Sequence, residues 1–290
     1  MKKLTLTLIM CFVVLCAVAQ DKPDTTYWKK GGNTALTFSQ TSLTNWSGGG
    51  DNAISTNLLL NVFANYSKSK TSWENTLKME YGLIKQGDEG VRKSIDKIDF
   101  ATKFGLENGK HWYYSAMMEF KTQFAKGYNY PNKEDIVSNF MAPAYMIISL
   151  GMDYKPSEVF SAYISPLTSK MTFVNDDDLS NAGAFGVDPG DKYRAEFGAF
   201  TKLALKKDVM ENVNLQSILH LFTNYSESFG NVDVNWEVMI AMKINKFLTA
   251  NINTALIYDD DVEYVDKNGV NQGPKIQFKE IIGIGLSYNF

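Results

Sequence analysis

Cysteine, histidine and proline are scarce in this chain. Its two cysteines, Cys11 and Cys16, lie in an N-terminal stretch, and His111 and His220 are the two histidines among 290 residues. This scarcity argues against a disulfide framework, thiolate chemistry and a histidine-rich metal site. A net charge of −3 argues against a nucleic-acid partner. We therefore expect no cofactor, no bound metal and no nucleic acid.

Long apolar runs are also missing, apart from one at the N-terminus. Lys2 and Lys3 precede an apolar run from Leu4 to Val18, which ends in small residues just before Gln20. The run is shorter than the roughly 20 residues of a transmembrane helix, and its flanks are typical of a cleaved signal peptide. We expect residues 1–19 to be removed on export, together with both cysteines.

The dominant pattern is alternation with a period of two. From Val232 to Ile244 every second residue is apolar, and the residues between them are mostly polar or small. Successive side chains of a strand point to opposite faces, so each such segment predicts a strand with one apolar face. Twelve strands are predicted, at 33–41, 53–67, 71–85, 95–107, 111–126, 140–154, 158–173, 193–206, 212–226, 232–245, 248–260 and 276–290.

The lengths of the strands and connectors favour a membrane barrel over a soluble β-sandwich. Many predicted strands exceed ten residues, whereas sandwich strands usually have about five or six. Tight connectors alternate with longer polar ones, which are predicted at 42–52, 86–94, 127–139, 174–192 and 261–275. We predict an all-β, transmembrane, antiparallel up-and-down barrel with short periplasmic turns and longer extracellular loops. Residues 20–32 would be a periplasmic tail, and residues 33–290 the outer-membrane barrel.

The polar faces of the predicted strands carry many charges of both signs. In a barrel they line the interior, where they either form a closed network of salt bridges or select solutes in a pore. The predicted lumen-facing charged residues are Glu74, Lys78, Glu80, Asp99, Lys103, Glu119, Lys121, Arg194, Glu196, Lys202, Glu237 and Lys243.

The last strand ends in alternating apolar residues. Ile284, Leu286, Tyr288 and the terminal Phe290 share one face, while glycine, serine and asparagine occupy the other. This pattern is similar to the C-terminal signal that the barrel-assembly machinery reads in outer-membrane proteins. We expect these four residues to direct assembly, with outer-membrane lipid and lipopolysaccharide surrounding the finished barrel.

Two short motifs and the layout of the whole chain resemble a known family. The motifs are Asn45-Trp46-Ser47-Gly48-Gly49-Gly50, after the first strand, and the segment that begins Ser165-Pro166. They resemble the domain-of-unknown-function family number three thousand and seventy-eight, from Bacteroidota-type Gram-negative bacteria. The resemblance implies an outer-membrane barrel and supplies no reaction, so no catalytic residues are carried over.

Two functions remain open on the sequence. The first is a narrow channel for small polar solutes, and the second is a non-conducting structural or accessory subunit of a larger secretion or assembly complex. The longest connector, 174–192, could plug the lumen or contact such a partner. The tail with Tyr27 and Trp28 could be disordered, dock under the barrel or bind a partner. Neither histidine is placed where a barrel hydrolase would need its base, so we expect no enzymatic activity.

Overall fold

The computed structural model describes residues 27–43, 51–130, 132–226, 229–265 and 270–290. Its strands are β1 (Trp28–Thr41), β2 (Ala53–Lys68), β3 (Thr71–Gln86), β4 (Val91–Glu107), β5 (Trp112–Thr122), β6 (Gly127–Tyr128), β7 (Ile136–Ser138), β8 (Ala144–Tyr154), β9 (Phe160–Phe173), β10 (Tyr193–Met210), β11 (Val213–Asn224), β12 (Asp233–Lys243), β13 (Leu248–Tyr258), β14 (Glu263–Val265), β15 (Asn271–Pro274) and β16 (Gln277–Asn289). A short helix, α1 (Asp177–Asn181), precedes a 3-10 turn at Ala184–Gly186. No helix in these ranges is both long and apolar enough to cross a membrane.

Twelve of the described strands form a closed antiparallel ring. Their order is β1-β16-β13-β12-β11-β10-β9-β8-β5-β4-β3-β2. The ring closes where β1 pairs with β16, and Gly32 and Phe290 exchange two backbone hydrogen bonds of 2.9 and 3.0 Å at this seam. Closure pairs the backbone groups that an open sheet would leave free at its edges. The predicted all-β barrel of about twelve strands is confirmed.

The outside of the ring is apolar and exposed. On β16 the four residues of the predicted assembly signal, Ile284, Leu286, Tyr288 and Phe290, are 53%, 56%, 58% and 51% exposed. Many other strands carry exposed large apolar side chains in the same alternating positions, which is the pattern of the lipid-facing band of a membrane barrel.

Aromatic rings concentrate towards the two ends of this outer surface. One end has the ring pairs Trp112–Tyr154 and Tyr288–Phe290, in each of which the two rings contact each other. The other end has the pairs Tyr81–Phe124 and Phe197–Tyr225. Two aromatic girdles flank the apolar band of barrels in membranes.

Tight turns gather at the end of the ring where β1 begins and β16 ends, here called the turn end. Ser69, His111 and Asn212 adopt positive φ angles in three of these turns, as tight hairpin turns require. The opposite end, called the loop end, holds most of the long connectors. Two of the gaps between predicted strands, 86–94 and 207–211, are shorter in the structure. The paired strands extend further, so that only residues 87–90 and 211–212 connect them.

The start of the barrel lies earlier than predicted. Residues 28–32, expected in the periplasmic tail, pair with β2, and Trp28 stands opposite Tyr66. The Trp28 ring lies 5.3 Å from the Tyr66 ring and 5.7 Å from the Trp73 ring, measured between centroids. Ser67 N donates a 2.8 Å hydrogen bond to Tyr27 O. Strand pairing and ring contacts therefore hold Tyr27 and Trp28 against the barrel wall.

Two connectors at the loop end fold onto one another, and together they are called the loop cap (residues 123–143 and 174–192). Ala142 from the first connector is buried together with Val174, Leu179 and Val187 from the second. The longest connector therefore buries apolar side chains against its neighbour, and it is ordered by this packing.

Helix α1 in the loop cap is fixed by a side-chain cap. Asp176 precedes the helix in an extended conformation, and its carboxylate accepts a 3.3 Å hydrogen bond from Leu179 N. Asn139 Nδ2 donates to the same carboxylate from the other connector, at 3.1 Å. The hydrogen bond from Asn139 lowers the pKa of Asp176 below its usual value.

Candidate functional site

The interior of the barrel holds the side chains that the sequence singled out. Because the side chains alternate along each strand, the twelve predicted charged residues lie on inward faces, where they form ion pairs or line cavities. They do not form one site. They divide into clusters at the turn end, the middle and the loop end of the barrel.

The cluster at the turn end joins β3 and β4 to β8. Lys103 Nζ lies 2.6 Å from Asp153 Oδ2 and 3.3 Å from Glu74 Oε2. Lys155 contacts both of these carboxylates. Asp153 is 0% exposed and was missed in the sequence, although it follows Ser149 and Gly151 on the small, polar face of its strand.

The cluster in the middle is centred on Glu119, which is 2% exposed. Its carboxylate pairs with Lys202, which lies on β10, three strands away around the ring. His220 Nδ1 and Lys121 Nζ lie 3.7 and 3.9 Å from the other carboxylate oxygen. Removing a buried charge from water is costly, so these partners are what make a carboxylate tolerable here.

One ion pair crosses the full width of the barrel. Lys97 Nζ on β4 lies 2.7 Å from Glu237 Oε1 on β12, and these strands stand six places apart in the ring of twelve. Lys97 Nζ is also 3.3 Å from Asp99 Oδ2. Opposite walls of the barrel therefore touch through side chains. Lys97 was missed in the sequence, although its position two residues before Asp99 places it on the same face.

The cluster at the loop end is acidic. Lys170 Nζ lies 2.6 Å from Asp233, 3.1 Å from Asp259 and 3.5 Å from Glu196. Nearby, Arg194 donates to Gly186 O in the loop cap at 3.2 Å and to Asp261 Oδ2 at 2.8 Å. Arg194 thus ties the loop cap to the connector that follows β13, on another part of the rim. The described residues include no group of three or more His, Cys, Asp or Glu side chains placed to hold a metal ion.

One part of the interior is closely packed. Met117, Tyr163, Phe200 and Phe222 form a buried cluster contributed by β5, β9, β10 and β11. The Tyr163 hydroxyl lies 2.9 Å from Ser149 Oγ, so its polar end is also satisfied. These four side chains are at most 5% exposed, so a solute cannot pass between them.

Beside this cluster, the described residues enclose three cavities of about 630, 230 and 360 Å³, in order from the turn end to the loop end. Gln216 and Met239 line all three, so the cavities adjoin one another. The first reaches Asn289 at the turn end, and the last reaches Gln123 and Pro143 beneath the loop cap. Together they are called the solute path. Glu237 lines the last two cavities, so the cross-barrel ion pair stands in this path.

The second family-like motif forms a β-bulge. The pairing of β9 skips Ser165 and Pro166 against β8, and Pro166 and Leu167 against β10. Pro166 therefore has no ladder partner on either side, which suits a residue without a backbone N–H. Ser165 Oγ donates to Leu150 O at 2.7 Å, and Tyr225 Oη donates to Pro166 O at 2.9 Å. The motif is therefore structural. Asn45, Trp46, Gly49 and Gly50 of the first motif lie outside the described residues.

The two histidines lie far from each other. His111 is in a tight turn at the turn end and contacts the Tyr154 ring, whereas His220 is in the middle cluster beside Glu119.

An antiparallel twelve-stranded ring with an apolar outer face and an ion-paired interior has the architecture of a transmembrane β-barrel.

Comparison with known families agrees with the resemblance seen in the sequence. The model of a family described as protein of unknown function (DUF3078) matches residues 38–128. The motif that includes Trp46 lies inside the matched segment, and the Ser165 motif lies beyond it. No curated protein matches the chain.

Solved outer-membrane barrels align with nearly the whole chain, at low similarity. The translocator domain of the autotransporter NalP from Neisseria meningitidis is 10% identical, with a TM-score of 0.37, and the alignment covers 100% of this chain and 98% of that one. An outer-membrane channel from Pseudomonas putida F1 is 12% identical, with a TM-score of 0.41 and coverages of 93% and 100%. The NanC porin is 9% identical, with a TM-score of 0.40 and coverages of 88% and 98%.

Proposed function

We propose that this chain is an outer-membrane channel for small polar solutes, exported by its N-terminal signal and inserted with its turn end in the periplasm. The observation that carries the proposal is the solute path, a series of adjoining cavities through the interior whose lining includes many amide and charged side chains. The apolar outer face supports insertion in lipid, and the even strand number with short turns at one end supports the orientation.

The channel is narrow and not enzymatic in this proposal. The packed cluster around Tyr163 fills part of the cross-section, and the Lys97–Glu237 pair narrows what remains. Mixed, mutually paired charges would favour passage of small solutes one at a time over the free diffusion of a wide porin.

Single-channel conductance of the refolded protein in a planar bilayer tests the proposal. Small, steady, salt-dependent conductance steps are expected. Gln216→Trp fills the point where the three cavities meet and should abolish most of the conductance. Gln40→Trp is the matched control, since Gln40 is exposed on the same face of β1 as the outward Phe38, where an interfacial tryptophan is well accommodated.

A non-conducting accessory role is the second candidate, and the ion pair that joins opposite walls favours it. In that case folded barrels would insert repeatedly without conductance steps, and both tryptophan variants would behave like the wild type. Partners pulled down from native membranes, and lost when the loop cap is altered, would then support the accessory role.

A further inference from the structure

The interior of the barrel has two chemically different halves. The six adjacent strands β11, β12, β13, β16, β1 and β2 supply the neutral amide side chains of the solute path. These are Asn33, Asn57, Asn61, Asn214, Gln216, Asn235, Asn251, Asn253 and Asn289. The other six strands supply most of the ion-paired residues. A solute in the path would therefore meet carboxamides on one side and, in the middle cavity, paired charges such as Glu119 and Lys202 on the other.

Two of these amides have unused hydrogen-bonding capacity. Asn61 Nδ2 donates to Asn33 Oδ1 at 3.2 Å, which links adjacent strands. The Oδ1 atoms of Asn57 and Asn61 are buried and accept no hydrogen bond from the described residues. Buried acceptors are normally satisfied, and Asn57 and Asn61 line the cavities, so rotation of these two amides towards the path would let them accept hydrogen bonds from a molecule there.

The charges along the narrow part of the path are already neutralised within the protein. Lys97 pairs with Glu237 and Asp99, and Lys202 pairs with Glu119. An ionic solute would have to compete with these partners and would lose its own hydration. A neutral solute with many hydroxyl groups would pay no such penalty and could exchange water for the amides.

Lysines with no ion pair among the described residues are found at both ends of the path. Lys206, Lys243 and Lys246 line the cavity at the turn end, Lys279 lines the cavity at the loop end, and all four are exposed. Water and salt screen exposed lysines at a wide entrance. These lysines therefore affect the selectivity of the path less than the side chains of its narrow part do.

We propose that the amide wall makes the path selective for uncharged polyhydroxyl solutes of about monosaccharide size. The middle cavity has a volume of about 230 Å³, which is enough for one such molecule and is larger than a single water requires. Carboxamides donate and accept hydrogen bonds, and so match hydroxyl groups that do both. This inference rests on the proposed channel function.

The test is uptake of labelled glucose, gluconate and glucosamine into proteoliposomes, each at trace concentration in the same salt buffer. The three probes have the same carbon skeleton and differ in charge. Glucose is expected to enter faster than either charged probe. Faster entry of gluconate or glucosamine would overturn the selectivity and leave the channel standing. No entry of any probe would overturn the channel function as well.

A substitution connects the selectivity to the wall. Asn61→Leu keeps the approximate size of the side chain and removes its hydrogen bonds, so the ratio of glucose uptake to salt conductance should fall about fivefold. Asn181→Leu, at an exposed position in the loop cap, is the control and should change neither. An unchanged ratio for Asn61→Leu would contradict the inference. If that variant fails to fold, the comparison of the three probes on the wild type still decides.

Discussion

Breaking the Glu119–Lys202 pair should destabilise the barrel more than any exposed charge change. Glu119→Gln leaves Lys202 in the interior without its carboxylate, and removing one partner of a buried pair costs about 3–5 kcal/mol. The Lys202 side chain is 21% exposed to the cavities, so water there reduces the loss to about 3 kcal/mol in the free energy of unfolding.

The reverse substitution should cost less. In Lys202→Met, Glu119 keeps His220 at 3.7 Å and Lys121 at 3.9 Å, and we expect a loss of about 1–2 kcal/mol. The double variant should be more stable than the sum of the two losses predicts, with a coupling energy of about 2 kcal/mol.

Equilibrium unfolding in urea, followed by tryptophan fluorescence in lipid vesicles, measures all four proteins of this cycle. Glu158→Gln, at an exposed turn position, is the control and should change the free energy of unfolding by less than about 0.5 kcal/mol. A loss below about 1 kcal/mol for Glu119→Gln, or losses that simply add in the double variant, would refute the reasoning.

Three further predictions concern the wall and the loop cap. Gly198→Ala should destabilise the barrel by about 1–3 kcal/mol, because the added Cβ would lie 2.0 Å from a backbone oxygen. Gly283→Ala should be tolerated, because its Cβ would have no atom nearer than 3.4 Å. Heat-modified gel mobility distinguishes the destabilised variant from the tolerated one. Arg194→Ala removes the link to Asp261, so proteolysis of residues 174–192 should become faster. Folding lowers the pKa of Asp176, so the stabilisation of α1 by this carboxylate is present above its unfolded pKa and is lost as pH falls through its folded pKa. Hydrogen exchange at residues 177–181 should therefore rise in strong acid. Asp176→Asn should remove that pH dependence.

Alternation along the chain was enough to predict the architecture. The outward positions of β16 and the inward positions of β12 both follow from a period of two, and pairing confirms the ring. Strand ends were less predictable: Gly31 and Gly32 read as a tail in the sequence, yet they fit β1 because the rings of Phe63 and Phe290 fill the space that side chains would take.

The sequence predicted which single residues face the interior, but not which of them pair with each other. The inward orientation of Glu119 follows from alternation, but its partner Lys202 depends on how far apart β5 and β10 lie around the ring. The same is true of Lys97 and Glu237, whose contact depends on the shape of the cross-section. Strand shear and cross-section are not encoded in any local pattern, so the solute path could not be derived from the sequence.

The most direct test of the account is the single-channel conductance of Lys97→Ala compared with that of the wild type. The substitution removes the side chain that joins opposite walls and stands in the solute path, while Asp99 and Glu237 stay in place. Lys110→Ala, at an exposed turn, is the matched control. The account predicts a larger conductance for Lys97→Ala and an unchanged one for Lys110→Ala. Equal conductance in all three proteins would contradict a path that is narrowed by this ion pair.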